Sequence, residues 1–151
     1  METTLIRLMQ TVLADSFVMY TKAHGYHWNV EGKLFPMLHD FFGDIYAEVY
    51  GSIDSTAEQI RQLQGRAIHS LLEFDKARTI PDTVINVPTD NTGMLNDLFA
   101  ANQLILVSLM KAYEEATTQQ EFGLQNYIQD RMMAHKKHAW MLRSTLNKAG
   151  E

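Results

Sequence analysis

The sequence predicts an all-α protein built as a bundle of four long helices. Apolar residues recur in steps of three and four along four extended segments, which is the spacing of an amphipathic helix. Two of the three prolines fall in one long connection, residues 66–89, and a connection of that length suits a crossover between two parallel helices. The 151 residues are expected to form a single domain, residues 1–151.

The first helix is predicted over residues 4–28. Its buried stripe comprises Leu5, Leu8, Met9, Val12, Leu13, Phe17, Tyr20 and Ala23. His27 lies near its end and is a candidate metal ligand. The adjacent Trp28 is expected to pack beside that histidine, either as a core residue whose indole N–H finds a partner or as an electron donor.

The second helix is predicted over residues 34–64, with Gly65 ending it. Its apolar stripe comprises Phe35, Leu38, Phe42, Ile45, Val49, Ile53, Ala57, Ile60 and Leu63. The helix also carries His39, Asp54 and Glu58. The two carboxylates are four residues apart, so they share one helical face and can hold one hard or borderline cation.

A turn at residues 29–32 should reverse the chain and bring His27 towards His39. Along the helix, however, His39 and Asp54 are separated by roughly 22 Å at a rise of about 1.5 Å per residue. Either the histidine pair and the carboxylate pair are unrelated, or a second, antiparallel copy of the chain joins them. A two-fold axis through the middle of the helix would create two identical sites per dimer.

Two further features mark the second helix. Gly43 and Gly51 lie on nearly one face, and each costs about 1 kcal/mol of helix stability relative to alanine. Together they suggest the close approach of another helix, such as that of a dimer partner. The acidic row Asp40, Asp44 and Glu48 is interpreted as a solvated face, or as the lining of a cavity inside an assembly.

The second half of the chain contains a short helix and two long ones. The short helix is predicted over residues 69–77 inside the crossover, and the long helices over residues 91–118 and 120–147. Asp90 or Thr92 can cap the third long helix. The stripes of these two long helices comprise Leu95, Leu98, Asn102, Ile105, Leu109, Ala112, Ala116, Leu124, Ile128, His135, Ala139, Leu142 and Leu146. His135 and His138 are interpreted as structural rather than metal-binding.

Composition limits the chemistry and the partners. The chain has no cysteine, so metal ligands must be imidazole or carboxylate, and a reducing, cytoplasmic location is allowed. No run of eighteen apolar residues predicts a membrane span, and the first residues do not resemble a signal peptide. The net charge of −5 argues against binding to a nucleic-acid backbone.

Several of these residues occur together in a known family. His27-Trp28-Asn29-Val30-Glu31-Gly32 is followed by Phe35, His39, Asp54, Ala57-Glu58, Leu63-Gln64-Gly65 and finally residues 137–143. This order and spacing resemble the Dps family, the miniferritins of the ferritin-like superfamily, over essentially the whole chain. The sequence contains no Glu-x-x-His motif, which is typical of a di-iron centre within one subunit. Its absence favours a site between subunits.

The resemblance implies a ferritin-like four-helix bundle assembled from two-fold dimers into a hollow shell of twelve subunits. Such a shell oxidises Fe(II) at inter-subunit sites, with hydrogen peroxide or oxygen as oxidant, and stores Fe(III) mineral, which protects against oxidative damage. On this basis His27, His39, Asp54 and Glu58 are the expected iron ligands and catalytic residues. Glu121 and Asp130 are candidates for the entry pores.

The chain departs from the family pattern at a few points. Gly43 replaces the aspartate that normally follows the second histidine by four residues, which weakens or changes the iron position around His39. An alternative function is therefore a metal-storage shell with weak or no ferroxidase activity. His24 lies outside the pattern and is expected at a solvent or subunit boundary. The short terminal segments are not basic, so little or no DNA binding is expected.

Overall fold

A computed structural model describes residues 2–147 of the chain as five helices. They are α1 (Thr4–Asn29), α2 (Phe35–Gln62), α3 (Leu71–Ala77), α4 (Asn91–Thr118) and α5 (Phe122–Thr145). Each boundary lies within two residues of its expected place, and the all-α prediction is confirmed. Met1 and residues 148–151, which include most of the short C-terminal tail expected not to bind DNA, lie outside the described residues.

The four long helices form a closed bundle. α1 packs against α2 and α4, α4 packs against α5, and α5 touches α2, while α3 lies on the outside of α1. Short turns make α1 antiparallel to α2 and α4 antiparallel to α5. The crossover between α2 and α4 consequently joins two parallel helices, as the sequence predicted.

The apolar stripes of the long helices meet in one core. Its largest fully buried side chains are Met9, Leu13, Met19, Leu38, Phe42, Ile45, Ile60, Ile80, Met94, Leu98, Ile105 and Leu109. α4 is long and apolar enough to cross a membrane by length and composition alone. In this fold its apolar side is covered by α1 and α5, which explains its composition without a membrane.

The end of α2 differs from the expectation that Gly65 supplies the helix-ending conformation. The left-handed residue is Gln64, with φ +66°, and the N–H of Gly65 bonds to the carbonyl of Ile60 over 3.0 Å. Gly65 is required for a different reason. A Cβ atom at this position would lie 2.9 Å from the Ile6 side chain, so glycine lets α1 pack against this turn.

A buried carboxylate on α1 fastens the crossover to the bundle. Asp15 is fully buried and accepts hydrogen bonds from the backbone N–H groups of Thr79 (2.7 Å) and Ile80 (3.1 Å). It also accepts from the hydroxyls of Thr79 (2.8 Å) and Ser108 (2.6 Å). Because a buried carboxylate is stable only when its oxygens are bonded, Asp15 ties α1, the crossover and α4 together.

A second polar side chain of α1 acts in the same region. The ammonium group of Lys22 donates to the carbonyl of Thr83 over 2.8 Å and pairs with Asp97 over 2.9 Å. The Lys22 side chain is almost wholly buried. Buried polar residues, which a pattern of apolar stripes does not reveal, therefore fix where the crossover lies.

Replacing Asp15 by alanine should lower the free energy of unfolding by about 3 kcal/mol, because it leaves two backbone N–H groups and a buried hydroxyl without an acceptor. Urea denaturation measures the loss. Asp75→Ala is the control, since its exposed carboxylate pairs with Arg78 and its loss should cost less than about 1 kcal/mol. Equal losses in the two variants would show that Asp15 does not anchor the crossover.

Candidate metal centre

The end of α1 and the first turns of α2 bring His27 and His39 together. Gly32 allows the reversal between these helices, because its φ of +119° lies in the left-handed region that favours glycine. The two imidazole rings are stacked, with centroids 3.8 Å apart and an interplanar angle of 17°. The reversal expected from the sequence thus places the two candidate ligands side by side within one chain.

Two reciprocal hydrogen bonds hold these rings. The His27 Nδ1–H donates to the carbonyl of His39 over 2.6 Å, and the His39 Nδ1–H donates to the carbonyl of His27 over 2.7 Å. Because a carbonyl only accepts, each Nδ1 carries the hydrogen, and Nε2 of each neutral ring keeps a lone pair. A carbonyl that fixes the ring in this way is a usual outer partner of a metal-binding histidine.

Gly43 forms part of the wall against which His27 packs. A Cβ atom at position 43 would lie 3.1 Å from Nδ1 of His27 and 3.2 Å from Cε1, closer than most Cβ contacts in proteins. The neighbour that Gly43 accommodates in this structure is therefore a ring of its own chain. At Gly51 no described atom lies within 4 Å of the Cβ position, so the approach of a second helix there stays a prediction.

Asp54 and Glu58 lie apart from the histidines. Both are exposed and one helical turn apart on α2, and the unbroken helix keeps Asp54 about 22 Å from His39. Among residues 2–147, no group of three or more His, Asp or Glu side chains could hold a metal ion. Within one chain the two candidate half-sites, one of imidazoles and one of carboxylates, are therefore separate.

Aromatic side chains surround the histidine pair. The His24 ring stacks on Tyr46 with centroids 3.9 Å apart and lies 4.0 Å from Trp28, while Tyr46 lies 5.2 Å from His27. Partial burial and the neighbouring His27 lower the pKa of His24 below its ordinary value. The possibility that Trp28 is a core residue is wrong, because 65% of it is exposed at the end of α1, outside the bundle core.

A second group of polar side chains lies between α2, α4 and α5. Arg131 donates to both carboxylate oxygens of Glu48, over 2.6 and 3.0 Å, and Nε2 of His138 lies 2.8 Å from the same carboxylate. His135 is fully buried, and its Nδ1–H donates to the amide oxygen of Asn102 over 2.8 Å. Both histidines interpreted as structural thus have protein partners. The acid that pairs with His138 comes from another helix, which local spacing could not show.

Charge and burial in this group act in opposite directions on its pKa values. Burial alone would raise the pKa of Glu48, but the hydrogen bonds and charges of His138 and Arg131 hold it well below its ordinary range. Burial, reinforced by the charge of Arg131, lowers the pKa of His135. His135 is therefore neutral, and its Nε2 can accept from the Arg131 guanidinium over 3.2 Å.

The acidic row of α2 is only partly a solvated face. Asp40 and Asp44 are exposed, but Glu48 is half-buried and ion-paired, so the interpretation of the whole row as solvated is wrong at that position. The candidate pore residues Glu121 and Asp130 are both exposed. Their role at an entry pore stays a prediction.

Comparison with known proteins gives consistent matches over nearly the whole chain. A family model described as a ferritin-like domain matches residues 6–150. DNA protection during starvation protein 2 of Bacillus anthracis is 29% identical over 97% of this chain and 99% of its own length. A low temperature-induced protein of Nostoc sp. is 31% identical over 92% of this chain and 78% of its own length.

Solved structures agree with these matches. The Dps protein of Vibrio cholerae, described as a member of a broad superfamily of ferritin-like diiron-carboxylate proteins, has a TM-score of 0.89 at 30% identity. The match covers 94% of this chain and 88% of that one. Dps of Thermosynechococcus elongatus has a TM-score of 0.89 at 27% identity, over 94% and 89% of the two chains.

The contact between Gly43 and His27 can be tested by a matched pair of substitutions. Gly25→Ala should raise the free energy of unfolding by about 1 kcal/mol, because alanine favours a helix and no atom of another element in residues 2–147 lies within 4 Å of the new methyl group. Gly43→Ala should gain clearly less, or lose stability, since its methyl group displaces the His27 ring. Urea denaturation compares the two, and an equal gain in both would contradict the packing of His27 on Gly43.

Proposed function

Since the chain belongs to the ferritin-like domain family, and within it to the Dps proteins, we propose that it is a ferroxidase and iron-storage miniferritin. The observation that carries the proposal is the pairing of His27 with His39. Their Nδ1 atoms are committed to backbone carbonyls, so the Nε2 atom of each ring is the one left to bind metal. Iron as that ion is supported by the Dps protein of Vibrio cholerae, which is described as a member of a superfamily of ferritin-like diiron-carboxylate proteins.

The carboxylates of the site come from a second copy of the chain. Asp54 and Glu58 are too far along α2 to reach the histidines of their own subunit. An antiparallel copy related by a two-fold axis would bring them to His27, twice per dimer. Large exposed apolar side chains flank the histidine pair, namely Trp28, Leu34, Phe35 and Met37, as expected for a surface that another subunit covers.

The ligand set suits the oxidation of Fe(II). The His27 imidazole holds Fe(II), and the hard carboxylates of Asp54 and Glu58 favour Fe(III), which lowers the barrier to electron loss. Hydrogen peroxide is the proposed oxidant, and it takes one electron from each of two Fe(II) ions and two protons to yield two water molecules. Removing peroxide and free Fe(II) together would protect a cytoplasm from oxidative damage.

The surroundings of His39 favour a second candidate function, a storage shell with weak or no ferroxidase activity. Gly43 provides no carboxylate there, and the His27 ring packs against that position. The nearby acids Asp40 and Asp44 are exposed and lie on divergent headings around α2. The iron position at His39 is therefore weaker than the one that His27 shares with Asp54 and Glu58.

Assembly follows from the same proposal. Twelve subunits built from two-fold dimers would enclose a cavity in which Asp40 and Asp44 offer acidic groups to the mineral, and Glu121 and Asp130 would guide Fe(II) inward. The net charge of −5 disfavours contact with DNA phosphates. Protection would accordingly come from iron and peroxide chemistry, with little or no DNA binding.

The rate of Fe(II) oxidation by peroxide tests the ferroxidase proposal. His27→Gln, Asp54→Asn and Glu58→Gln should each slow stopped-flow oxidation by about 100-fold, since even outer partners of metal ligands cost ten- to hundredfold. Glu114→Gln, which removes an exposed carboxylate of α4, should leave the rate unchanged. A wild-type rate no faster than that of iron in buffer would leave only the storage function.

Mixing variants tests whether two subunits share each site. His27→Gln and Asp54→Asn are both expected to be inactive as homo-oligomers. Refolded together in equal amounts, they should regain about a quarter of the wild-type sites, because half of the dimers are mixed and each mixed dimer has one intact site. A site built within one subunit would regain no activity on mixing, and that result would refute the shared site.

A further inference from the structure

A continuous group of aromatic rings leads away from the histidine pair. This aromatic cluster consists of Tyr20, His24, Trp28, Tyr46 and Tyr50. The Tyr20 ring lies 5.4 Å from His24, 6.2 Å from Tyr46 and 4.8 Å from Tyr50, measured between centroids. Every ring therefore has a neighbour at short range, and Tyr46 links the cluster to His27 at 5.2 Å.

Within the aromatic cluster, Tyr20 and His24 form a hydrogen-bonded pair. The Tyr20 hydroxyl lies 3.0 Å from Nδ1 of His24, so a neutral imidazole accepts the phenolic hydrogen. A phenol that loses an electron must also lose its proton, and a positioned base lowers the barrier to that step. Tyr20 is thus equipped to give up an electron and a proton together.

Two other tyrosines with hydrogen-bonded hydroxyls, Tyr26 and Tyr127, have different surroundings. Tyr26 also donates to an acceptor, Asp97, but its ring lies 6.0 Å from Phe42 in the apolar core. Tyr127 shares its hydroxyl with Thr56 on the far part of α2. Tyr20 combines a histidine base with a path of neighbouring rings that ends at His27.

The number of electrons that peroxide accepts in the proposed function suggests a role for the Tyr20–His24 pair, and the inference rests on that function. Peroxide accepts two electrons, whereas a single Fe(II) supplies one. The iron position beside Gly43 lacks its carboxylate, so one iron at His27, Asp54 and Glu58 will often meet peroxide alone. Without a second electron, peroxide and one Fe(II) yield a hydroxyl radical.

We propose that Tyr20, with His24 as its base, supplies the second electron through the aromatic cluster when peroxide oxidises a single Fe(II). Peroxide, Fe(II), the Tyr20 phenol, neutral His24 and two protons from water become two water molecules, Fe(III), a Tyr20 phenoxyl radical and protonated His24. The O–O bond breaks, and both electrons and the phenolic proton are accounted for.

The aromatic cluster also offers the oxidised residue a route to repair. Tyr50 neighbours Tyr20 and is 58% exposed. An electron from a small reductant can enter at this ring. Damage that would otherwise begin as a hydroxyl radical is thereby confined to side chains that can be reduced again.

An iron-free experiment tests the pair directly. Pulse radiolysis with azide radicals, which are small, oxidises tryptophan in the metal-free protein, and transfer from Trp28 should appear as loss of indolyl and growth of phenoxyl radical absorbance. Tyr20→Phe should abolish the fast transfer, and His24→Phe should slow it by about 100-fold, the lower range of a general base's contribution. Tyr113→Phe, a half-buried tyrosine on α4, and Trp140→Phe are the matched controls.

A dependence on buffer separates a base from a merely structural ring. In His24→Phe the residual transfer rate should rise with the concentration of buffer base, whereas the wild-type rate should not depend on it. Unchanged transfer in Tyr20→Phe or in His24→Phe would overturn the proposal.

Rapid-freeze electron paramagnetic resonance then tests whether Tyr20 is oxidised during the reaction of Fe(II) with peroxide. Wild type should show a tyrosyl radical that Tyr20→Phe loses, and spin-trapped hydroxyl radical should increase in that variant while Fe(II) oxidation continues. A signal that persists in Tyr20→Phe would overturn the proposal. Slow iron oxidation in wild type would instead refute the proposed function. The role of the Tyr20–His24 pair is tested separately, by the radical transfer measured without iron.

Discussion

α2 is one continuous helix from Phe35 to Gln62, and its rise of about 1.5 Å per residue keeps His39 roughly 22 Å from Asp54. No change of rotamer can shorten that separation. A metal ion bound by both His39 and Asp54 would therefore have to draw them from different copies of α2. The rigidity of one secondary-structure element thus makes assembly a condition of the proposed chemistry.

The histidine half-site is in turn held by backbone rather than by side chains. Each ring donates to the carbonyl of the other histidine, so ring orientation depends on the turn between α1 and α2. The position of α1 depends on its buried polar residues, since Asp15 and Lys22 fasten it to the crossover and to α4. The bundle and the half-site are therefore stabilised by the same helix.

Sequence periodicity predicted what depends on local spacing. Helix bounds, the crossover and the meeting of His27 with His39 all follow from steps of three and four and from one turn. It missed contacts between residues far apart in the chain. Asp15 accepts a hydrogen bond from Ser108, and Glu48 pairs with Arg131 and His138. Periodicity along the sequence does not reveal such partners. The exposed Trp28 was missed in part because an aromatic residue in an apolar context is usually assumed to be core.

Gly43 connects the ligand set to the aromatic cluster. Read from the sequence alone, it is an absent carboxylate, which predicts a weaker second iron position. In the structure the His27 ring also packs against this position, and Tyr46 and His24 neighbour the same ring. The chain lacks the carboxylate that would help to bind a second iron ion. One helical turn before His27 it has His24, which is hydrogen-bonded to the Tyr20 phenol. The absent carboxylate and the Tyr20–His24 pair are then connected, because peroxide requires two electrons. In the proposal, Tyr20 supplies the electron that a second Fe(II) would otherwise provide.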